Sequence, residues 1–202
     1  APGFMGTVVV GDPLALGTGP LTLTGGNLQT SVAGGVTLAN QLGTGATAGN
    51  FVTFTGANPI TFSNGPTTYN GLSSAINFQT GAVGVAFDAV LSGAAGFTLA
   101  GANSTATFTQ ASGFTGPATA SGGTIVLAGA AGAFAGASSL VLNQGGTIRL
   151  DNTVVTNPNR VNDAAAVTLN GGTLVLAGGT AAAATETLGA LTANTGSSGV
   201  TV

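Results

Sequence analysis

Seven of the 202 residues carry a charge: Asp12, Asp88, Asp151, Asp163, Glu186, Arg149 and Arg160. Two of the acids could do chemistry together. Asp151 and Asp163 flank the one long loop, residues 153–162, and Arg160 lies between them. Glycoside hydrolysis usually needs two carboxyl groups held roughly 5 to 9.5 Å apart across a glycosidic bond. The same residues also have a structural reading. Asp151 ends the short strand Ile148–Leu150, where Asp is a common turn former, and Asp163 pairs with Arg160. A second candidate is Tyr69, the one aromatic with a polar tip, in Pro66-Thr67-Thr68-Tyr69-Asn70-Gly71, which reads as a loop. There it could contact a sugar. The structural reading is preferred for all of them. The sequence predicts no enzyme and no catalytic residue, and Tyr69, Asp151, Arg160 and Asp163 are kept as candidate ligand contacts.

Other chemistries lack their residues. Without His or Cys there is no Ser-His-Asp arrangement, no zinc or copper ligand set and no disulfide framework. Five scattered acids do not build the oxygen cage of a Ca²⁺ site. Gly-rich runs such as Gly93-Ala94-Ala95-Gly96 lack the following Gly-Lys-Ser/Thr of a phosphate loop. No metal and no cofactor is expected. Two arginines and a net charge of -3 give no basic cluster for nucleic acid or an anionic membrane surface. The mean hydropathy is high, at +0.51. It comes from Ala and Val mixed with Gly, Thr and Ser, and the weakly polar stretch 86–102 is broken by Asp88, Gly93 and Gly96. No stretch of about twenty apolar residues is present, so this segment is not expected to enter a membrane.

The elements that would carry these residues are legible in the apolar pattern. Large apolar residues come as doublets at i and i+2: Leu21/Leu23, Val36/Leu38, Val52/Phe54, Ile60/Phe62, Ile76/Phe78 and Val85/Phe87. The series continues through Phe97/Leu99, Ile125/Leu127, Leu140/Leu142, Ile148/Leu150, Val167/Leu169 and Leu174/Leu176. Alternation puts one face of a short strand in a core and the other, rich in Thr, toward solvent. Five of the ten Phe occupy these doublet positions and are expected in the core. Phe114 and Phe134 do not, which predicts a coil corner or an exposed position. Gly-Gly-Asn, Asn-Gly and Gly-Gly sequences between doublets are turn formers. The segment Ala181–Ala190 is the single credible helix, on alanine content.

The doublets repeat. Leu140-Val141-Leu142-Asn143-Gln144-Gly145-Gly146-Thr147-Ile148-Arg149-Leu150 matches Val167-Thr168-Leu169-Asn170-Gly171-Gly172-Thr173-Leu174-Val175-Leu176, and Leu21-Thr22-Leu23-Thr24-Gly25-Gly26-Asn27-Leu28 is a looser copy. Equivalent doublets, Leu140 and Val167, Val52 and Ile76, Ile60 and Val85, recur at 24–27 residues. A fixed period in the twenties marks a solenoid. The rival is a hairpin, because Asn-Gly between alternating strands is a strong hairpin signal. In a hairpin, Val167–Leu169 pairs with Leu174–Leu176, and the chain becomes an antiparallel β-sandwich. In a solenoid each strand pairs with its equivalent one coil away and Asn-Gly-Gly is a corner. The predicted fold is all-β, a right-handed parallel β-helix of about eight coils formed by residues 1–202 as a single segment, read as an excerpt of a longer repeat protein.

Residues 159–174, Asn159-Arg160-Val161-Asn162-Asp163-Ala164-Ala165-Ala166-Val167-Thr168-Leu169-Asn170-Gly171-Gly172-Thr173-Leu174, resemble the autotransporter-associated β-strand repeat proteins of bacteria. So do Gly122-Gly123-Thr124-Ile125-Val126-Leu127 and the stretch Leu14 to Ser31. Residues 45–116 match by pattern more than by identity. The resemblance implies an extracellular passenger-type array on the surface of, or secreted by, a bacterium, with a structural or adhesive role and no catalytic residue to transfer. The implied partners are neighbouring repeats of the same chain, further copies in a fibre, and a glycan or host surface. The alternative is a glycan-binding or glycan-processing β-helix centred on Tyr69 or on Asp151 and Asp163.

Overall fold

The computed structural model describes residues 6–44, 51–70, 77–81, 83–179 and 183–202. Every ladder between the described strands is parallel. Nine strands stack into one sheet and eight into a second, and the chain alternates between them. Eight stacked strands define about seven turns of a right-handed β-helix, against the eight coils expected. Two smaller two-stranded sheets, Leu21–Leu23 with Leu42–Thr44 and Ala111–Ser112 with Ala133–Phe134, cover a third side. At roughly 4.8 Å per step the nine-stranded sheet is about 38 Å long.

The pairing decides against the hairpin. Val167 is in register with Leu140 on one side and Leu191 on the other, while Leu174 pairs with Ile148 and Val200. Asn143 to Gly146 and Asn170 to Thr173 are therefore corners between the two sheets. Their geometry needs glycine. A Cβ on Gly146 would sit 2.1 Å from the carbonyl oxygen of Ala120 in the coil below, and one on Gly172 would sit 2.7 Å from the backbone of Asn143 and Leu142. Backbone crosses backbone at this corner, and only hydrogen fits between.

Inward positions bury as the doublets require. Strand Val85–Ser92 alternates buried and half-buried along all eight residues, and Gly146–Asn152 along all seven. Stacking equivalent coils turns the doublets into columns. Phe62, Phe87 and Phe108 lie in register, with ring centroids 5.8 and 4.9 Å apart and near-parallel planes. Phe54, Phe78 and Phe97 form a second row, and the two rows meet edge to face, Phe97 against Phe108 at 5.0 Å. Such pairs contribute about 0.5–1.5 kcal/mol beyond burial itself. One coil cannot bury its own doublet, so stability depends on neighbours.

Several expectations are corrected. The coil length is not fixed: Ser139 pairs with Ala166, 27 residues on, but Thr105 pairs with Thr124, only 19 on. Val52 is in register with Phe78, not Ile76, which lies outside the described residues. Leu21–Leu23 belongs to a side sheet while Gly26–Thr30 enters the nine-stranded one, so the looser copy is out of frame with the other two. Phe114 and Phe134 are fully buried, packed ring to ring at 5.0 Å under the third side. Residues 183–190 form no helix; Ala181 and Ala182 lie outside the described residues. Alanine content without an apolar stripe gives a helix nothing to pack, and the neighbouring coil engages Glu186 instead.

Candidate functional site

The four candidate contacts do not gather into one site. Tyr69 lies on strand Ile60–Asn70, not on a loop, with its backbone opposite Leu91 after two register irregularities. That strand is in the eight-stranded sheet, coils away from the strand of Asp151.

Asp151 lies within strand Gly146–Asn152, one residue from its end. Its Oδ2 accepts from Arg149 Nε at 3.2 Å on the outer face, and its Oδ1 accepts from the Thr153 N–H at 3.0 Å and the Thr153 hydroxyl at 2.6 Å. Burial pulls the carboxyl upward, but the Thr153 bonds and Arg149 outweigh it and hold it below its ordinary 3.8. A carboxylate so held is a poor general acid. Asp163 is exposed at the other end of the loop.

Arg160 does not pair with Asp163. It is fully buried, and its guanidinium ties the long loop to the coil below. Nε donates to Asn152 Oδ1 at 2.8 Å, Nη1 to the carbonyl of Gly132 at 2.7 Å, and Nη2 to the carbonyls of Gly129 at 2.9 Å and Val155 at 3.1 Å. Asn152 Oδ1 also accepts the N–H of Asn157 at 2.8 Å. The planar fork of donors suits a cluster of carbonyls that lysine could not span. One coil later, the Glu186 carboxylate accepts the backbone N–H groups of Arg160 and Val161 at 2.9 and 3.0 Å. Burial pushes the Glu186 carboxyl above its ordinary 4.5, and the Asp163 charge adds to that; the two N–H bonds and Arg160 oppose. Burial also lowers the Arg160 pKa, against the charges of Asp151 and Glu186. This cluster is a three-coil clamp. Its strongest donors already have partners, which leaves the arginine closed to a ligand.

The sequence reading missed the role of Glu186, whose partners lie about a coil away. It also missed the polar ladders on the outer faces. Asn143 Nδ2 donates to Ser121 Oγ at 3.0 Å, Asn170 Nδ2 to Asn143 Oδ1 at 3.0 Å, and Asn194 Nδ2 to Asn170 Oδ1 at 2.7 Å. Asn143 and Asn170 are the aligned asparagines of the repeat, so the signal was present. Locally, Asn-Gly-Gly signals only a turn. Asp88 is held the same way, accepting from Gln110 Nε2 at 2.9 Å and Thr109 Oγ1 at 2.7 Å, and these bonds keep its carboxyl below the ordinary 3.8.

The first coils enclose an apolar pocket of about 180 Å³ lined by Leu16, Leu21, Leu23, Leu28 and Val52 among others, with no charged side chain on its wall. Among the described residues no group of three or more metal-ligating side chains comes together, and no helix is long and apolar enough to cross a membrane. Compared with known proteins, the chain matches no family model, no curated protein and no solved structure.

Proposed function

We propose that this chain is a structural or adhesive segment of a bacterial surface or secreted protein, a rigid spacer or fibre unit of the autotransporter-associated repeat type, working without catalysis. The observation that carries this reading is the one-dimensional stack. Core columns, backbone ladders and side-chain ladders all run along one axis, each coil using its neighbours on both sides. Such a fold lengthens by adding coils and keeps its cross-section. The Asp88 and Glu186 carboxylates and the buried arginine are engaged in holding coils together, which favours this role over a glycan-processing one. Electron microscopy of the purified full-length parent protein, with antibody against this segment applied to intact cells, tests it. Rods or filaments and surface labelling are expected. A compact particle, or label confined to lysed cells, overturns the reading.

A further inference from the structure

The nine-stranded sheet differs from the eight-stranded one in what it shows to solvent. Asp88, Arg149 and Asp151 all lie on strands of the eight-stranded sheet. None of the chain's seven charged residues lies on any of the nine strands of the other. Its outward side chains, half-buried or exposed, form two parallel columns in the C-terminal half. One is the amide ladder Ser121, Asn143, Asn170 and Asn194. The other, two residues away on each strand, is Thr98, Thr119, Val141, Thr168 and Thr192.

We propose that this face docks a neutral, extended polysaccharide. The inference rests on the adhesive half of the reading above and names its ligand class. Three features point to it. First, a face with no charge offers nothing to offset the desolvation of a charged partner, whereas a neutral polyhydroxyl chain exchanges water for amide and hydroxyl contacts at little cost. Second, the ladder uses only one of the two N–H hydrogens on each of Asn143 and Asn170, leaving a regular series of donors. The threonine column beside it supplies hydroxyls and methyls. A pyranose ring presents the same mixture, equatorial hydroxyls beside a C–H face. Third, the columns repeat at roughly 4.8 Å, close to the rise of one sugar in an extended glycan, so one contact pattern recurs along the polymer. The amides are held from both sides by their neighbours, and little rotamer freedom remains to be lost on binding.

The test is a pull-down of the whole chain on insoluble cellulose and chitin, with the anionic polymer alginate as a counter-probe. Thr119→Lys/Thr168→Lys places charge on the proposed face, and Thr124→Lys/Thr147→Lys places the same charge on the other sheet. Far-ultraviolet circular dichroism checks that both variants fold. Binding of the parent chain to a neutral polymer is expected to be insensitive to salt and to fall about tenfold or more in the first variant alone. Should the first variant not fold, Asn143→Ala/Asn170→Ala replaces it, with the same expected loss. No binding to cellulose or chitin, binding to alginate alone, or equal loss in both lysine variants overturns the proposal. Rods seen by microscopy that bind no glycan would overturn this inference and leave the structural reading standing.

Discussion

At the scale of single residues, three of the chain's few charges, Asp88, Arg160 and Glu186, fasten one coil to the next. Arg160 is the clearest case: one guanidinium holds Asn152 and three carbonyls on two coils. Replacing it leaves those acceptors buried without a donor. Arg160→Met should cost about 4 kcal/mol, a fall in Tm of about 10 °C for a domain of this size. Thermal unfolding checks the loss, and limited proteolysis should show loop 153–159 cut first. An unchanged Tm would mean that the carbonyls find other partners. Asp88 is a fastener of opposite charge. Its folded-state pKa is depressed by Gln110 and Thr109. Its contribution is therefore present above the ordinary 3.8 and lost as pH falls through the lower folded value. Glu186 has the opposite sign, because its raised pKa favours the folded state below its ordinary 4.5 and less so as pH rises through the folded value. Melting curves between about pH 5 and pH 2 should then show a shallower acid loss in Asp88→Asn than in the parent. Equal slopes would remove Asp88 from the acid response.

At the scale of elements, most of the fold was legible and most of the site was not. Strand and face followed from local sequence, because the doublets Ile125/Leu127, Ile148/Leu150 and Val167/Leu169 are buried as the alternation requires. Parallel pairing followed from the 27-residue match of Leu140 with Val167. What sequence spacing could not supply is which distant groups meet. Spacing suggests that Arg160 pairs with Asp163, three residues away, and it takes carbonyls from the coil below instead. Alanine content around Glu186 suggests a helix, yet its carboxylate closes a corner a coil away. Coil length varies because side loops of different length join the strands, so a fixed period of 24 does not reach Phe78, the partner of Val52. The corner itself is tightly constrained. Gly146→Ala forces a methyl against the Ala120 carbonyl and should destabilise by about 3 kcal/mol. Gly145→Ala at the exposed neighbouring position meets no atom within 4 Å and is strained only by its φ of 77°, so it should cost less. Denaturant titration of the two variants checks the order, and a reversed order contradicts the backbone crossing.

At the scale of the molecule, the coils make a rod whose two broad faces differ. One carries the Arg149–Asp151 pair and Asp88 on its outer surface, and the other a neutral lattice of amides and threonines. Both belong to one stack, so spacer and adhesive roles share the same architecture. Both roles depend on that stack. Double electron–electron resonance between nitroxide labels tests it most directly. Labels at Thr98 and Thr192 are separated by four steps of the nine-stranded sheet and should lie about 19 Å apart. Labels at Thr53 and Asn194, six steps apart, should lie about 29 Å apart. Distances that grow in proportion to the number of coils are the predicted result. Distances that do not scale with coil number, as in an antiparallel sandwich of hairpins, would contradict it.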